Sequence, residues 1–426
     1  MPRICSALLL ACARRGAVAL CLVVGTAWGQ TPEGRTGKVS ALAAAPDWKW
    51  LEHAAGVLTR AEFEGALHSL YAPEDASRAC VQVGAESVRI RMRGDEWREV
   101  AFATSGRSQA PLLPRFWRAA GELPPAPVTK PLQGVHVALD PGHLGGQWAR
   151  MEERFFKVDR SRPVAEGDLT LAVARRLSPQ LERLGAKVTV LRSGDRPVTK
   201  ERPKSLLPAA RADLDTGANP HRIQVHSELM FYRVSEIRAR AQLVNEKIRP
   251  DVVVCLHFNA EDWKDADQPR LIPRNHLHAL INGCYGPREL ESDDIRSEML
   301  MHLFARTAAE SLPLTETVVD ALAEGSGLPP FTYFSSNARR VGESPYVYTR
   351  NLLANRLYQA PVVFLEPYVM NSEPVWRRVQ TGDYSGRREI EKIPQSSLVR
   401  EYADAVAEGL ARYYRTHRAL GVKTSP

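Results

Sequence analysis

Apolar and polar positions follow two different rhythms along this chain. Between residues 80 and 102 they alternate as in half-buried strands, with Val81, Val83, Val88, Ile90 and Met92 forming the apolar set. Residues 48–71 have helical spacing instead, opened by a Thr59-x-x-Glu62 capping box ahead of Phe63, Leu67 and Leu70. Residues 46–104 therefore read as a small α+β domain. Beyond residue 133 apolar runs of strand length appear at 134–140, 186–192, 251–257, 277–283 and 361–366. Long amphipathic segments at 167–184, 235–248, 293–312 and 398–414 separate them and predict helices, the first with Leu169, Ala172, Leu177, Leu181 and Leu184 inward and a kink or restart expected at Pro179. This alternation predicts an α/β fold, an open, twisted, mainly parallel sheet with helices on both faces, preceded by the small α+β domain. The two parts meet in residues 105–132, a proline-rich linker, and the large domain runs over 133–418.

Residues 1–29 carry Arg3, Arg14 and Arg15 but no acid, then an apolar run from Ala17 to Val24 and small residues up to Gly29. This order predicts a cleaved signal peptide, since the apolar run is well short of the ~20 residues that cross a bilayer. Residues 30–45 follow as a spacer. The expected location is outside the cytoplasm, in the periplasm or cell envelope, with no stable membrane insertion after cleavage. The net charge of +8 falls to +5 without those three arginines, and basic residues are not interleaved with aromatic ones, so nucleic acid is not an expected partner. Cysteine usage shrinks as well. Only Cys80, Cys255 and Cys284 remain, too few for a disulfide framework and with no Cys-x-x-Cys pair.

In a parallel sheet, ligands bind beyond the carboxyl ends of the strands. The first strand of the large domain ends in Asp140-Pro141-Gly142-His143-Leu144-Gly145-Gly146, the third in Leu256-His257-Phe258-Asn259-Ala260, and the last in Phe364-Leu365-Glu366-Pro367. Glu166 opens the helix that leaves from the same edge. Two imidazoles and one carboxylate form a common ligand set for catalytic Zn2+, and hydrolysis needs a further carboxylate to carry a proton. His143, Glu166, His257 and Glu366 supply that complement.

These four segments resemble the zinc-dependent N-acetylmuramoyl-L-alanine amidases, over about residues 133–412. The resemblance implies that His143, Glu166 and His257 hold zinc and that Glu366 is the catalytic acid/base. It further implies hydrolysis of the amide joining N-acetylmuramic acid to L-alanine in peptidoglycan, with peptidoglycan as partner and a regulatory protein as a second candidate. There are departures from the pattern. His143 and Glu166 are 23 positions apart, a longer interval than usual, so Glu152 or Glu153 competes as ligand. After Glu366 the usual glycine is missing, and Pro367 is expected to stiffen the turn.

Other readings stay open. A zinc carboxypeptidase or aminoacylase-like hydrolase would need an arginine for a free carboxylate, for which Arg238, Arg240 and Arg350 are candidates. A non-catalytic wall-binding protein is the third. Asn259 is a further candidate for substrate contact. His276-x-His278 would place two imidazoles on one face of a strand, but they begin the strand and so are expected at the wrong edge. His221, His226 and His302 read as solvated. Segments 261–275 and 313–345 lengthen the chain between His257 and Glu366; the second reads as a surface loop and a candidate gate.

Overall fold

The computed structural model describes residues 37–104 and 113–419. The expected signal peptide, the start of the spacer and part of the linker lie outside the described residues.

The small unit opens with a 3-10 turn at Trp48–His53, whose capping Asp47 accepts from the Lys49 amide. Helix α1 (Arg60–Ala66) follows, its capping box formed as the sequence predicts, with Thr59 and Glu62 exchanging hydrogen bonds. Strands β1 (Val81–Val83), β2 (Ser87–Arg91) and β3 (Trp97–Ala101) make an antiparallel sheet. Its apolar face does not close on itself. Leu51, Phe63, Leu67, Val88 and Ile90 share one core with Met299, Leu300, Leu303 and Phe304, which come from far along the chain. The linker is likewise packed down where it is described. Trp117 and Leu123 are buried, and Arg118 donates to Asp251 through Nε at 2.9 Å and Nη2 at 2.7 Å.

The large unit begins with β4 (His136–Pro141), a short ribbon of β5 (Phe155–Phe156) and β6 (Val164–Ala165), helix α2 (Glu166–Arg183) and β7 (Lys187–Val190). Helices α3 (Pro203–Asp213), α4 (Pro220–Met230) and α5 (Glu236–Gln242) lead to β8 (Val252–Leu256) and β9 (Leu277–Ile281). Then come α6 (Asp293–Phe304), α7 (Thr307–Ser326), β10 (Ala338–Arg340), β11 (Val347–Arg350), α8 (Leu353–Leu357) and β12 (Val362–Pro367). The chain finishes with α9 (Glu373–Gln380), the ribbon β13 (Arg387–Ile390) and β14 (Ile393–Ser396), and α10 (Leu398–His417).

Seven strands form the main sheet in the order β10-β11-β9-β12-β8-β4-β7. β7, β4, β8 and β12 are mutually parallel, and the three inner ones, β4, β8 and β12, read as near-continuous apolar runs because both their faces are buried. Successive residues point to opposite faces. On one face Leu139, Val254 and Leu365 meet Leu177 of α2, Val318 of α7 and Leu410 of α10. On the other, Ala138, Cys255, Leu280 and Phe364 meet Ala241 of α5, Ala354 of α8 and Trp117.

β9 breaks the parallel rule. It runs antiparallel to β12, in a register that sets Glu366 opposite His278. The start of β9 therefore lies at the carboxyl edge of β12, β8, β4 and β7, and the expectation that His276 and His278 sit at the wrong edge is corrected.

Two helix readings also change. The stretch 293–312 is two helices, parted at Arg306, which takes a left-handed φ of 54°. The expected loop at 313–345 is helical through Ser326, because Leu314, Val318, Val319 and Leu322 return to one buried face despite Pro313. α2 likewise runs through Pro179, with Leu177 and Leu181 buried on either side. Packing of an apolar face outweighs the ~3 kcal/mol that an interior proline costs a helix. Helices α3 and α4 have no counterpart in the sequence reading.

Candidate active site

The carboxyl edge of the parallel strands opens into a cavity of about 520 Å³. His143, Glu166, His257 and Glu366 all line it. His143 leaves β4 on a tight turn with a left-handed φ of 57°. Gly142 just before it is required by close approach, since a Cβ there would lie 2.2 Å from the His257 ring. Gly167 is required in the same way, because its Cβ would meet the Gly145 amide nitrogen at 2.2 Å; this fit seats the start of α2 against the turn. Asp168 then accepts from the Gly146 amide at 2.9 Å, and Thr170 donates to the Gly142 carbonyl at 2.7 Å.

Glu166 is 1% exposed and stands between the two imidazoles. Its Oε1 lies 3.1 Å from His257 Nδ1 and accepts from the Phe258 amide at 3.1 Å. Its Oε2 lies 3.3 Å from His143 Nε2 and 3.1 Å from Arg154 Nε. Yet that buried oxygen makes no well-formed hydrogen bond. One ligand atom from each of His143, Glu166 and His257 lies within 4.8 Å of the others, the sole such trio among the described residues. The donor set and the unsatisfied carboxylate oxygen both fit a zinc ion.

The competing acids take other places. Glu152 is buried behind His143, with Oε1 3.6 Å from Nδ1, and accepts from the amides of Leu144 at 2.9 Å and Gly145 at 3.1 Å. It orients the imidazole from its far side. Burial alone would raise the Glu152 carboxyl, but His143 and these amides hold it below the ordinary range. Glu153 is exposed and pairs with Arg233 at 3.6 Å.

Electrostatics separate the two central carboxylates. Burial opposes the charge on Glu166, but His143, His257 and Arg154 outweigh it and bring its pKa down to about 2. Burial also raises Glu366, and the nearby Glu166 charge adds to it against His257, Arg154 and Arg350, leaving it at about 7. The His257 imidazolium is disfavoured by burial and favoured more strongly by Glu166 and Glu366, so its pKa rises. Its ring stacks on Phe364 at 4.4 Å between centroids. Two adjacent carboxyls pushed in opposite directions are the arrangement from which acid and base roles are divided.

Behind the turn lies a buried ionic scaffold that the sequence did not reveal. Arg240 donates to Asp140 at 2.8 Å, Glu236 at 2.8 Å and the Pro141 carbonyl at 2.9 Å. Arg192 donates to the carbonyls of Pro141 at 3.0 Å and Gly167 at 2.5 Å. Arg240 is thus committed to the scaffold, and Arg238 to Ser40, at 2.9 Å, and Asp294, at 3.4 Å. Arg350 lines the cavity. Two histidines read as solvated are also placed differently. His302 is buried, with Nε2 2.9 Å from the Arg356 carbonyl, and His226 pairs with Asp213 at 2.7 Å.

His276, His278 and Asn259 line the same cavity, as do Phe331 and Tyr333 from the segment after α7. That segment is pinned to β9 by the Leu277 amide on the Pro329 carbonyl and the Phe331 amide on the Leu277 carbonyl, both at 3.0 Å. It forms one wall of the cavity. The missing glycine after Glu366 is accommodated by Tyr368, which takes φ 55° and is held by its hydroxyl on Glu401 at 2.9 Å.

No protein-family model matches the chain, and no curated protein matches it. Solved structures of N-acetylmuramoyl-L-alanine amidases are similar to it. Ami1 of Mycobacterium smegmatis is 18% identical with a TM-score of 0.37, covering 67% of this chain and 99% of its own. CwlD of Clostridioides difficile, solved in complex with the GerS lipoprotein, is 15% identical with a TM-score of 0.36, covering 66% and 100%. AmiC2 of Nostoc punctiforme is 14% identical with a TM-score of 0.36, covering 66% and 99%. These likenesses are loose, so the chemistry has to stand on the residues of the cavity.

Proposed function

We propose that this chain is a zinc-dependent amide hydrolase that cleaves the bond between N-acetylmuramic acid and L-alanine in peptidoglycan. The observation that carries the reading is the buried Glu166 carboxylate set between His143 and His257 with one oxygen unsatisfied, beside a second carboxyl, Glu366, held near neutrality. His143, Glu166 and His257 would hold the ion, with Glu152 fixing the His143 ring. When bound, zinc supplies an acidified water and polarises the carbonyl under attack. Glu366, on the neighbouring strand end, takes a proton from the attacking water and returns it to the departing amine nitrogen. A carboxyl at that position can do both. The substrate follows from the motif resemblance, and the proposed exported location agrees with it. No described helix is long and apolar enough to cross a membrane.

Digestion of purified sacculi tests the reading. Released stem peptides with a new N-terminal alanine support it. Shortened peptides still joined to muramic acid would replace it with the carboxypeptidase reading, and intact sacculi with the wall-binding one.

A further inference from the structure

The 23 positions from His143 to Glu166 exceed the amidase pattern, and the structure shows what the extra residues do. After the turn at Gly146–Trp148 the chain enters the ribbon β5–β6, whose register pairs Phe155 with Ala165 and Phe156 with Val164. The next pair along this ladder is Arg154 with Glu166, joined by the Glu166 amide on the Arg154 carbonyl at 3.1 Å. Phe156 anchors the ribbon, fully buried in the core of the large unit with its ring centroid 5.2 Å from that of Trp263. The longer interval thus folds back on itself and delivers an arginine to the carboxylate at the centre of the site.

The Arg154 guanidinium is held on two sides. Its Nε lies 3.1 Å from Glu166 Oε2, and its Nη1 donates to the Glu153 carbonyl at 3.0 Å. The Glu153 carboxylate is turned to Arg233, 3.6 Å away, and Tyr232 is the next ionisable neighbour. Nε and Nη1 are engaged, which leaves Nη2 for a ligand in the cavity that Arg154 lines. The side chain is 30% exposed, so the cavity reaches it. Its charge bears on both central carboxylates, lowering Glu166 and opposing the rise of Glu366. A cation that both carboxyls feel is close to the space they share, and the scissile amide has to lie there if Glu366 is to pass a proton to its nitrogen.

We propose that Arg154 is a further catalytic residue, which donates through Nη2 to the scissile carbonyl oxygen as that oxygen gains negative charge. No bond to Arg154 forms or breaks. The water oxygen adds to the carbonyl carbon, the π pair moves to the carbonyl oxygen, and Glu366 takes the water's proton. The pair then returns as the C–N bond breaks, and Glu366 delivers the proton to the nitrogen. A guanidinium suits this step because its charge is permanent and its donors are already fixed by Glu166 and Glu153, so little reorganisation is needed when the oxygen becomes charged. The contact is stronger to the charged oxygen than to the neutral carbonyl, so its contribution falls on kcat and not on KM. The inference rests on the amide-hydrolase reading.

The test compares the zinc-loaded parent chain with Arg154→Gln and Arg154→Lys on a muramoyl-L-alanyl peptide. Each is also titrated by calorimetry with the matching phosphinate, which puts a tetrahedral anion in place of the scissile amide. Turnover is read on the plateau of each pH profile, because losing the Arg154 charge also moves Glu366 upward. Arg154→Gln should lower kcat by about 10²–10³, the loss expected for one oxyanion donor, with KM and zinc content unchanged and partial recovery in Arg154→Lys. The phosphinate should bind Arg154→Gln about a hundredfold more weakly than the parent. A rise in KM alone would make Arg154 a ground-state contact, and a loss of zinc would make it a support for Glu166; either result overturns the proposal. If the parent leaves the muramoyl peptide intact but the phosphinate binding still depends on Arg154, the amidase reading fails and the anion-stabilising role stands. Equal phosphinate binding by parent and Arg154→Gln overturns that role, and cleavage by the parent alongside it leaves the amidase reading intact.

Discussion

The cavity has two walls, each built on a pair of histidines, and they are electrostatic opposites. On one wall Glu166 lies within 3.3 Å of both rings, and carboxylate charge raises His257 despite burial. On the other, His276 and His278 face an amide, a phenol and a guanidinium, and burial drives both down. The side-chain type is the same. A carboxylate in contact with both rings makes one pair suited to a cation, whereas around the other pair burial outweighs the nearby Glu261 charge and keeps the rings neutral.

The sharpest way to break this contrast is to remove the carboxylate that creates it. Glu166→Gln should abolish zinc binding and hydrolysis together, whereas His276→Phe should leave the zinc content at one equivalent; elemental analysis of purified protein checks both. Loss of zinc in the second variant would mean that the walls are not separate. Glu366→Gln should retain zinc but lower kcat by about 10²–10⁴, the usual range for a positioned acid/base. An unaltered kcat would place the base elsewhere.

Stability should divide along the same line. Arg240→Met leaves Asp140 and Glu236 buried without their cation and should cost about 3–5 kcal/mol by denaturant unfolding, because a broken buried pair leaves uncompensated charge. A cost below about 1 kcal/mol would show that the scaffold behind the first wall is not needed. The smallest effect concerns pH. His276 has a folded value near 4, below the ordinary 6.5, so the unfolded chain binds more protons between these values. The stabilisation from keeping it neutral is present above about 6.5 and is lost as pH falls toward 4. Thermal unfolding of His276→Phe should show a weaker decline over that window than the parent protein. Parallel profiles would indicate that the fold leaves the His276 pKa unshifted.

Legibility in the sequence followed the same division. β4, β8 and β12 announced themselves as apolar runs because both their faces are buried, and the residues just beyond them could be placed at one edge by the parallel rule. His276 and His278 were visible as a pair but not placeable, since periodicity gives a strand's faces and not its direction. One signal was available: residues 258–276 have no helical pattern, whereas a parallel crossover usually carries a helix. The helical part of 313–345 was hidden by its composition, because Gly, Pro and Ser suggest a loop until the buried Leu314, Val318 and Leu322 are counted on one face.

By itself the sequence determined the small α+β unit, the five candidate strands and the gathering of two histidines and two glutamates at one edge of the sheet. These are set by local spacing and by a rule common to parallel sheets. Only the tertiary structure decided that β9 turns back, that Glu152 stands behind His143, that Arg240 belongs to a buried scaffold, and that α6 completes the core of the small unit. Each of these depends on which distant surfaces bury each other, and that is fixed by packing across the whole chain, to which no local pattern has access.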